Sequence, residues 1–130
     1  MNQPSFLSAS LFVALGGGLG AWLRYVAGLI WPASASAFPW ATLSINVLGS
    51  LAMGLLAGWL ARHGSTGEQW RLLLGVGLLG GFTTFSAFSL ELAGLIERGS
   101  LGSAFLYAAL SVLAGIAALF IGLSLMRIAA

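Results

Sequence analysis

Residues 80–89 read GGFTTFSAFS. Glycines at 80 and 81, threonines at 83 and 84 and phenylalanines at 82, 85 and 88 stand together in a stretch otherwise apolar enough to be a helix in lipid. Glycine loosens helical backbone and threonine is a poor helix former, so the spacing predicts a break that frees backbone carbonyls. Irregular backbone at membrane depth is tolerated only where protein buries it or a wet cavity runs beside it. Freed carbonyls can hold a cation, as at other membrane sites. Phe85 and Phe88, three apart, share a helical face. A phenyl ring is negative on its face and positive at its edge, so ring edges can line a path for a small anion without trapping it as a lysine would.

Further polar residues lie at helical spacing in apolar surroundings. Asn46 and Ser50 are four apart, with Thr42 one turn earlier, and Tyr107 and Ser111 form a similar stripe. Thr83, Thr84, Ser86 and Ser89 make a third set. A serine or threonine in a helix commonly bonds its own backbone, whereas an asparagine has several groups to satisfy. Asn46 is therefore the more informative residue. Glu91 lies toward the end of the segment that contains the threonines, and no acid lies near the middle of the other apolar segments. With His63 alone and no cysteine, a zinc centre and a disulfide framework are both excluded.

The elements that must position these groups are set by composition. Of 130 residues, 59% are hydrophobic and 6% charged, with no lysine and no aspartate. A membrane crossing takes about 20 mostly apolar residues, so the chain has room for a single four-helix transmembrane domain and none for a soluble enzyme. The expected spans cover residues 6–30, 40–61, 70–96 and 101–126. Pro32 and Pro39 mark the first connection, with Pro39 suited to the start of the second helix. Ser65 and Glu68 have the spacing of a capping box for the third helix. Gly99 suits a helix C-terminus and Ser100 the next N-cap. No positive charge precedes Arg24, so the first segment reads as a retained helix rather than a signal peptide.

Tryptophans 31, 40, 59 and 70 fall near span ends, where indoles favour the interface. Glycines recur four apart at Gly16 and Gly20, Gly54 and Gly58, and Gly77 and Gly81, a pattern that lets helix backbones approach. The positive charge comes from five arginines against three glutamates with no basic cluster, which excludes a nucleic-acid partner. With four spans, Arg62, Arg71 and Arg127 lie on one side and Arg24 and Arg98 on the other. So weak a bias lets a chain insert both ways, and two opposed copies could pair; the alternative, one orientation set by other signals, stays open.

GGFTTFSAFS, together with GGGLGAWLRY at 16–25 and TLSINVLGS at 42–50, closely resembles the dual-topology fluoride channel family, called Fluc or CrcB. The resemblance runs over all four spans, including the Tyr107 and Ser111 stripe. It implies an all-α integral membrane protein with a break in the third helix, assembled as an antiparallel homodimer in the bacterial inner membrane and surrounded by membrane lipid. By the same resemblance, Asn46, Phe85, Phe88, Tyr107 and Ser111 line a fluoride pathway. Gly80 and Thr83 supply carbonyls to a structural sodium ion, Arg24 sits near a vestibule, Glu91 sits near a pore mouth, and Phe82 is an additional aromatic. The implied function is passive, selective fluoride efflux. A four-span antiporter of cationic drugs is the alternative, disfavoured by the absence of a carboxylate in the first span. A non-transporting scaffold, with every glycine and phenylalanine used for packing, is another.

Overall fold

The computed structural model describes residues 4–31 and 38–128, without the side chains of 65 and 66. Pro32 lies outside the described residues. Four helices are long and apolar enough to cross a membrane: α1 (Phe6–Ile30), α2 (Trp40–His63), α3 (Glu68–Glu97) and α4 (Leu101–Ile128). The molecule is thus an all-helical, multi-pass membrane protein.

Local chemistry sets the helix ends. Ser5 caps α1, its hydroxyl accepting from the Ser8 N–H at 3.3 Å, which satisfies one of the donors a helix leaves open. Pro39 is the residue from which α2 starts. Between α2 and α3 runs a tight 3-10 turn, Gly64–Gly67, with Gly64 at a positive φ of 51°. The Ser65 side chain of the expected capping box lies outside the described residues. α3 begins at Glu68 with Gly67 as its N-cap, so Glu68 is the first helical residue rather than the third, and its carboxylate is bonded to Arg71 instead. The α3–α4 turn is as expected: Gly99 has φ 74°, its N–H donates to Ile96 O, and the Ser100 N–H donates to Leu95 O. Those two bonds make a Schellman ending.

α3 is the irregular element. Residues Arg71–Leu79 are π-helical, and the Gly80 N–H donates back to Gly75 O and Gly77 O. The break falls at the threonines, both extended: Thr83 has φ −78°, ψ 158° and Thr84 has φ −151°, ψ 121°. Gly80 and Gly81 stay helical. Gly81 serves packing instead, since a Cβ there would clash with Gly17 O, whereas a Cβ on exposed Gly80 would make only an ordinary contact with Gly75 O at 3.6 Å.

Packing follows the glycine rows. α1 lies along the first half of α3 and α2 along α4. At the first crossing a Cβ on Gly77 would come within 2.9 Å of Gly16 Cα, and one on Gly20 within 2.8 Å of Phe82 N. At the second, a Cβ on Gly54 would meet the Leu119 carbonyl carbon at 2.9 Å, and one on Gly122 would lie 2.7 Å from Leu55 N. Gly122 completes this row without having a partner four residues away. Side-chain burial is concentrated elsewhere, where Leu43, Leu95, Ala104 and Tyr107 form a cluster between α2, the second half of α3 and α4.

Candidate functional site: a cavity beside the helix break

The extended threonines leave backbone groups without helical partners, and α2 supplies replacements. Asn46 Oδ1 accepts the Thr84 N–H at 2.8 Å, while Asn46 Nδ2 donates to Thr84 O at 3.0 Å. Thr84 then restarts the helix by accepting the Ala87 N–H on its own hydroxyl at 3.1 Å. The last N–H of the first half to point back along α3 is that of Thr83, onto Leu79 O at 3.0 Å. The Thr84 N–H that would close the next turn onto Gly80 O is taken by Asn46. Arg24 reaches over from α1, and its Nε donates to Gly81 O at 3.1 Å.

Beside this clamp lies a cavity of about 330 Å³. Its walls include Asn46, Ser50, Thr83, Thr84, Phe85, Phe88 and Ser111. The Asn46 amide nitrogen carries two hydrogens; Thr84 takes one, leaving a donor for a cavity occupant. Ser111 Oγ is buried and has no hydrogen-bond partner, which is costly unless an occupant bonds it. Ser50 Oγ, by contrast, donates to Asn46 O at 2.8 Å, and Ser89 Oγ to Phe85 O at 2.9 Å. These hydroxyls are spent on their own helices, as expected for isolated serines.

The aromatic residues connect the cavity to the buried cluster. Phe85 and Phe88 rings lie 5.5 Å apart, Phe88 and Tyr107 5.1 Å, and Tyr107 and Phe38 5.6 Å, the last edge to face. Phe85 is 79% exposed, so one side of its ring is open in a single copy. Phe82 is not part of the cavity wall; its ring faces Gly49, where a Cβ would lie 3.6 Å from it.

Tyr107 is fully buried and stands apart from the cavity wall. Its hydroxyl donates to Glu91 Oε2 at 2.6 Å, and Thr42 Oγ1 donates to Glu91 Oε1 at 2.7 Å. Both carboxylate oxygens of Glu91 are therefore engaged from α2 and α4. The sequence placed Thr42 on the Asn46 face and Tyr107 on the Ser111 face, but its spacing could not show that both meet Glu91.

Together the cavity wall holds an amide N–H, an unpartnered hydroxyl and two phenyl rings, whose edges are weakly positive, with no cationic side chain. The break offers something different to a cation. Gly80 O has lost its helical donor to Asn46, and the ψ of 158° at Thr83 turns the Thr83 carbonyl off the helix ladder. Such neutral, hard oxygens suit a monovalent cation, and among the described residues no cluster of acidic or histidine side chains competes for it.

A family model described as CrcB-like protein, Camphor Resistance (CrcB), matches residues 11–123. The fluoride-specific ion channel FluC of Novosphingobium aromaticivorans is 62% identical over 124 residues, covering 93% of this chain and 98% of its own. That of Erythrobacter litoralis is 54% identical over 128 residues, with 94% of each chain covered. That of Caulobacter vibrioides is 50% identical over 119 residues, covering 90% and 94%.

Proposed function

The chain belongs to the CrcB family, and from that premise we propose that it is a fluoride-specific ion channel, not an enzyme, which lets fluoride leave the cytoplasm passively. The observation that carries this reading is the buried, unpartnered Ser111 Oγ in a cavity shared with Asn46, Phe85 and Phe88. A strongly hydrated anion needs several weak donors in place of its water, and none that holds it. From an acidic medium fluoride enters the cell as neutral HF, ionises in the more alkaline cytoplasm and is trapped there. A negative interior then drives it out through a channel, since one charge crossing 100 mV is worth about 2.3 kcal/mol. Tyr107 and Glu91 extend the polar path beyond the cavity, with Glu91 near one mouth and Arg24 at a vestibule. The test is fluoride release from loaded liposomes that contain only this protein; no release from vesicles holding folded, correctly sized protein would refute the reading.

The working unit is an antiparallel homodimer in the bacterial inner membrane. The open side of Phe85 and the near balance of arginines between the two sides support it. Two arginines added to the C-terminus should fix one orientation and leave the protein inactive until an oppositely biased copy is co-expressed. Full activity of the fixed form alone would refute the pairing.

At the centre, the Gly80 and Thr83 carbonyls, with the same pair from a second copy, would hold a sodium ion. Sodium supplies positive charge that ties the two breaks together and takes no part in coupling. Stringent removal of sodium should cut fluoride flux, whereas an imposed sodium gradient should not drive it. Equal flux without sodium rejects the site.

A further inference from the structure

A second cavity, of about 390 Å³, has a different character. It is lined by Leu55, Leu56 and Trp59 of α2, Trp70 and Leu74 of α3, and Met126 of α4. Among the described residues, no charged or hydroxyl side chain lines it. A Cβ on Gly58 would lie 2.6 Å from Met126 Cβ, so the missing side chain lets the end of α4 close against α2 and brings Met126 to this wall. Trp59 carries the His63 ring stacked on it at 4.1 Å.

Three arginines lie within a helical turn of these lining residues in sequence. Arg62 follows Trp59 by three residues on α2, Arg71 precedes Leu74 by three on α3, and Arg127 adjoins Met126 on α4. All three side chains are exposed. Arg71 is paired with Glu68 at 2.8 Å. Among the described residues, neither Arg62 nor Arg127 has an ion-pair partner.

Toward the helix ends, the order Leu55, Leu56, Trp59, Arg62 along α2 and Met126, Arg127 along α4 matches the layers of one leaflet. Hydrocarbon lies deepest, the amphipathic boundary favours tryptophan, and phosphate at the surface favours arginine over water. We propose that this cleft binds one acyl chain of an anionic phospholipid whose phosphate is held by Arg62 and Arg127. A zwitterionic lipid offers the same chain, but its own cation cancels the attraction. The site lies apart from the cavity at the break and shares no lining residue with it, so its occupancy is measurable whether or not the channel reading stands.

The test uses the whole protein in vesicles. With Trp22, Trp31 and Trp40 changed to Phe, only Trp59 and Trp70 report. Phosphatidylglycerol with brominated acyl chains should quench them at a mole fraction where brominated phosphatidylcholine does not. The Arg62→Gln/Arg127→Gln double variant should lose that preference by about twenty-five-fold, at roughly five-fold per arginine near a lipid headgroup. These exposed substitutions leave the helix packing intact, and size-exclusion chromatography verifies it. Equal quenching by both lipids overturns the proposal by showing only general bilayer contact. Quenching by neither overturns it too, because a second copy of the chain then covers the cleft. Retained preference in the double variant shows that the arginines do not hold the phosphate, and is equally fatal.

Discussion

The two halves of α3 are held in opposite ways. The first half meets α1 through missing side chains: Gly16, Gly20, Gly77 and Gly81 let backbone touch backbone, and of α1 only Gly16 and Gly20 are buried. The second half meets α2 and α4 through side chains that reach across, with Asn46 on the Thr84 backbone and Thr42 and Tyr107 on Glu91. Lipid tails give helices no hydrophobic reason to associate. Close backbone packing and polar pairing are the two remedies left; backbone packing dominates before the break, where the Arg24 bond to Gly81 O is the one added polar contact described, and polar pairing dominates after it. The first leaves little room beside the helices for a ligand. The second necessarily surrounds itself with polar groups, and the cavity is found there.

The comparison breaks most completely at Asn46. Asn46→Asp removes the donor to Thr84 O and sets a carboxylate against a carbonyl, as well as placing a negative charge beside an anion path. Fluoride efflux should fall to background. Undiminished efflux from folded Asn46→Asp protein would remove both the clamp and the pathway role.

On the glycine side the loss should be of fold, not of function. Gly20→Val sets a branched side chain where a Cβ already meets the Leu78 carbonyl carbon at 3.0 Å and Phe82 N at 2.8 Å. Overpacking of this kind costs about 1–3 kcal/mol or more. Gly18→Ala has nothing within 4 Å and is the control. Thermal unfolding in detergent should separate them clearly; equal melting of the two variants means that α1 is not held by close approach.

Between these extremes lie the rings. Phe85→Ile and Phe88→Ile remove positive ring edges while largely keeping apolar bulk, so flux should drop strongly with the protein still folded, and methionine should restore more than isoleucine. Near-normal flux in both isoleucine variants makes the rings packing residues only.

The mildest change sharpens the comparison furthest. Ser111→Ala deletes a buried oxygen that bonds nothing, so stability should hold or rise slightly, since an unpaired buried group costs about 1–3 kcal/mol. Fluoride flux should nevertheless fall several-fold. Ser50→Ala, whose hydroxyl is spent on Asn46 O, should change flux less. If both serines behave alike in flux, the unpartnered oxygen has no part in conduction.

Much of this was legible in order along the chain. Composition dictated lipid as the solvent, hydropathy marked the four helices, the glycine spacing marked the faces that touch, and GGFTT marked a break to within a few residues. These properties are local sums: each residue adds its transfer energy or its backbone preference whatever lies opposite. Even so, local preference put the glycines and the threonines in one weak segment without saying which would yield. Contact with Gly17 holds Gly81 helical, and Asn46 stabilises Thr84 in its extended form.

What only the tertiary structure decided is who satisfies whom. Asn46 meets Thr84 38 residues away, Thr42 meets Glu91 across 49, and Arg24 meets Gly81 across 57. A polar group in lipid must find a partner, and its type reveals that need. The partner's identity depends on which helix faces lie together and at what height, a property of the assembled bundle that no spacing along one helix contains.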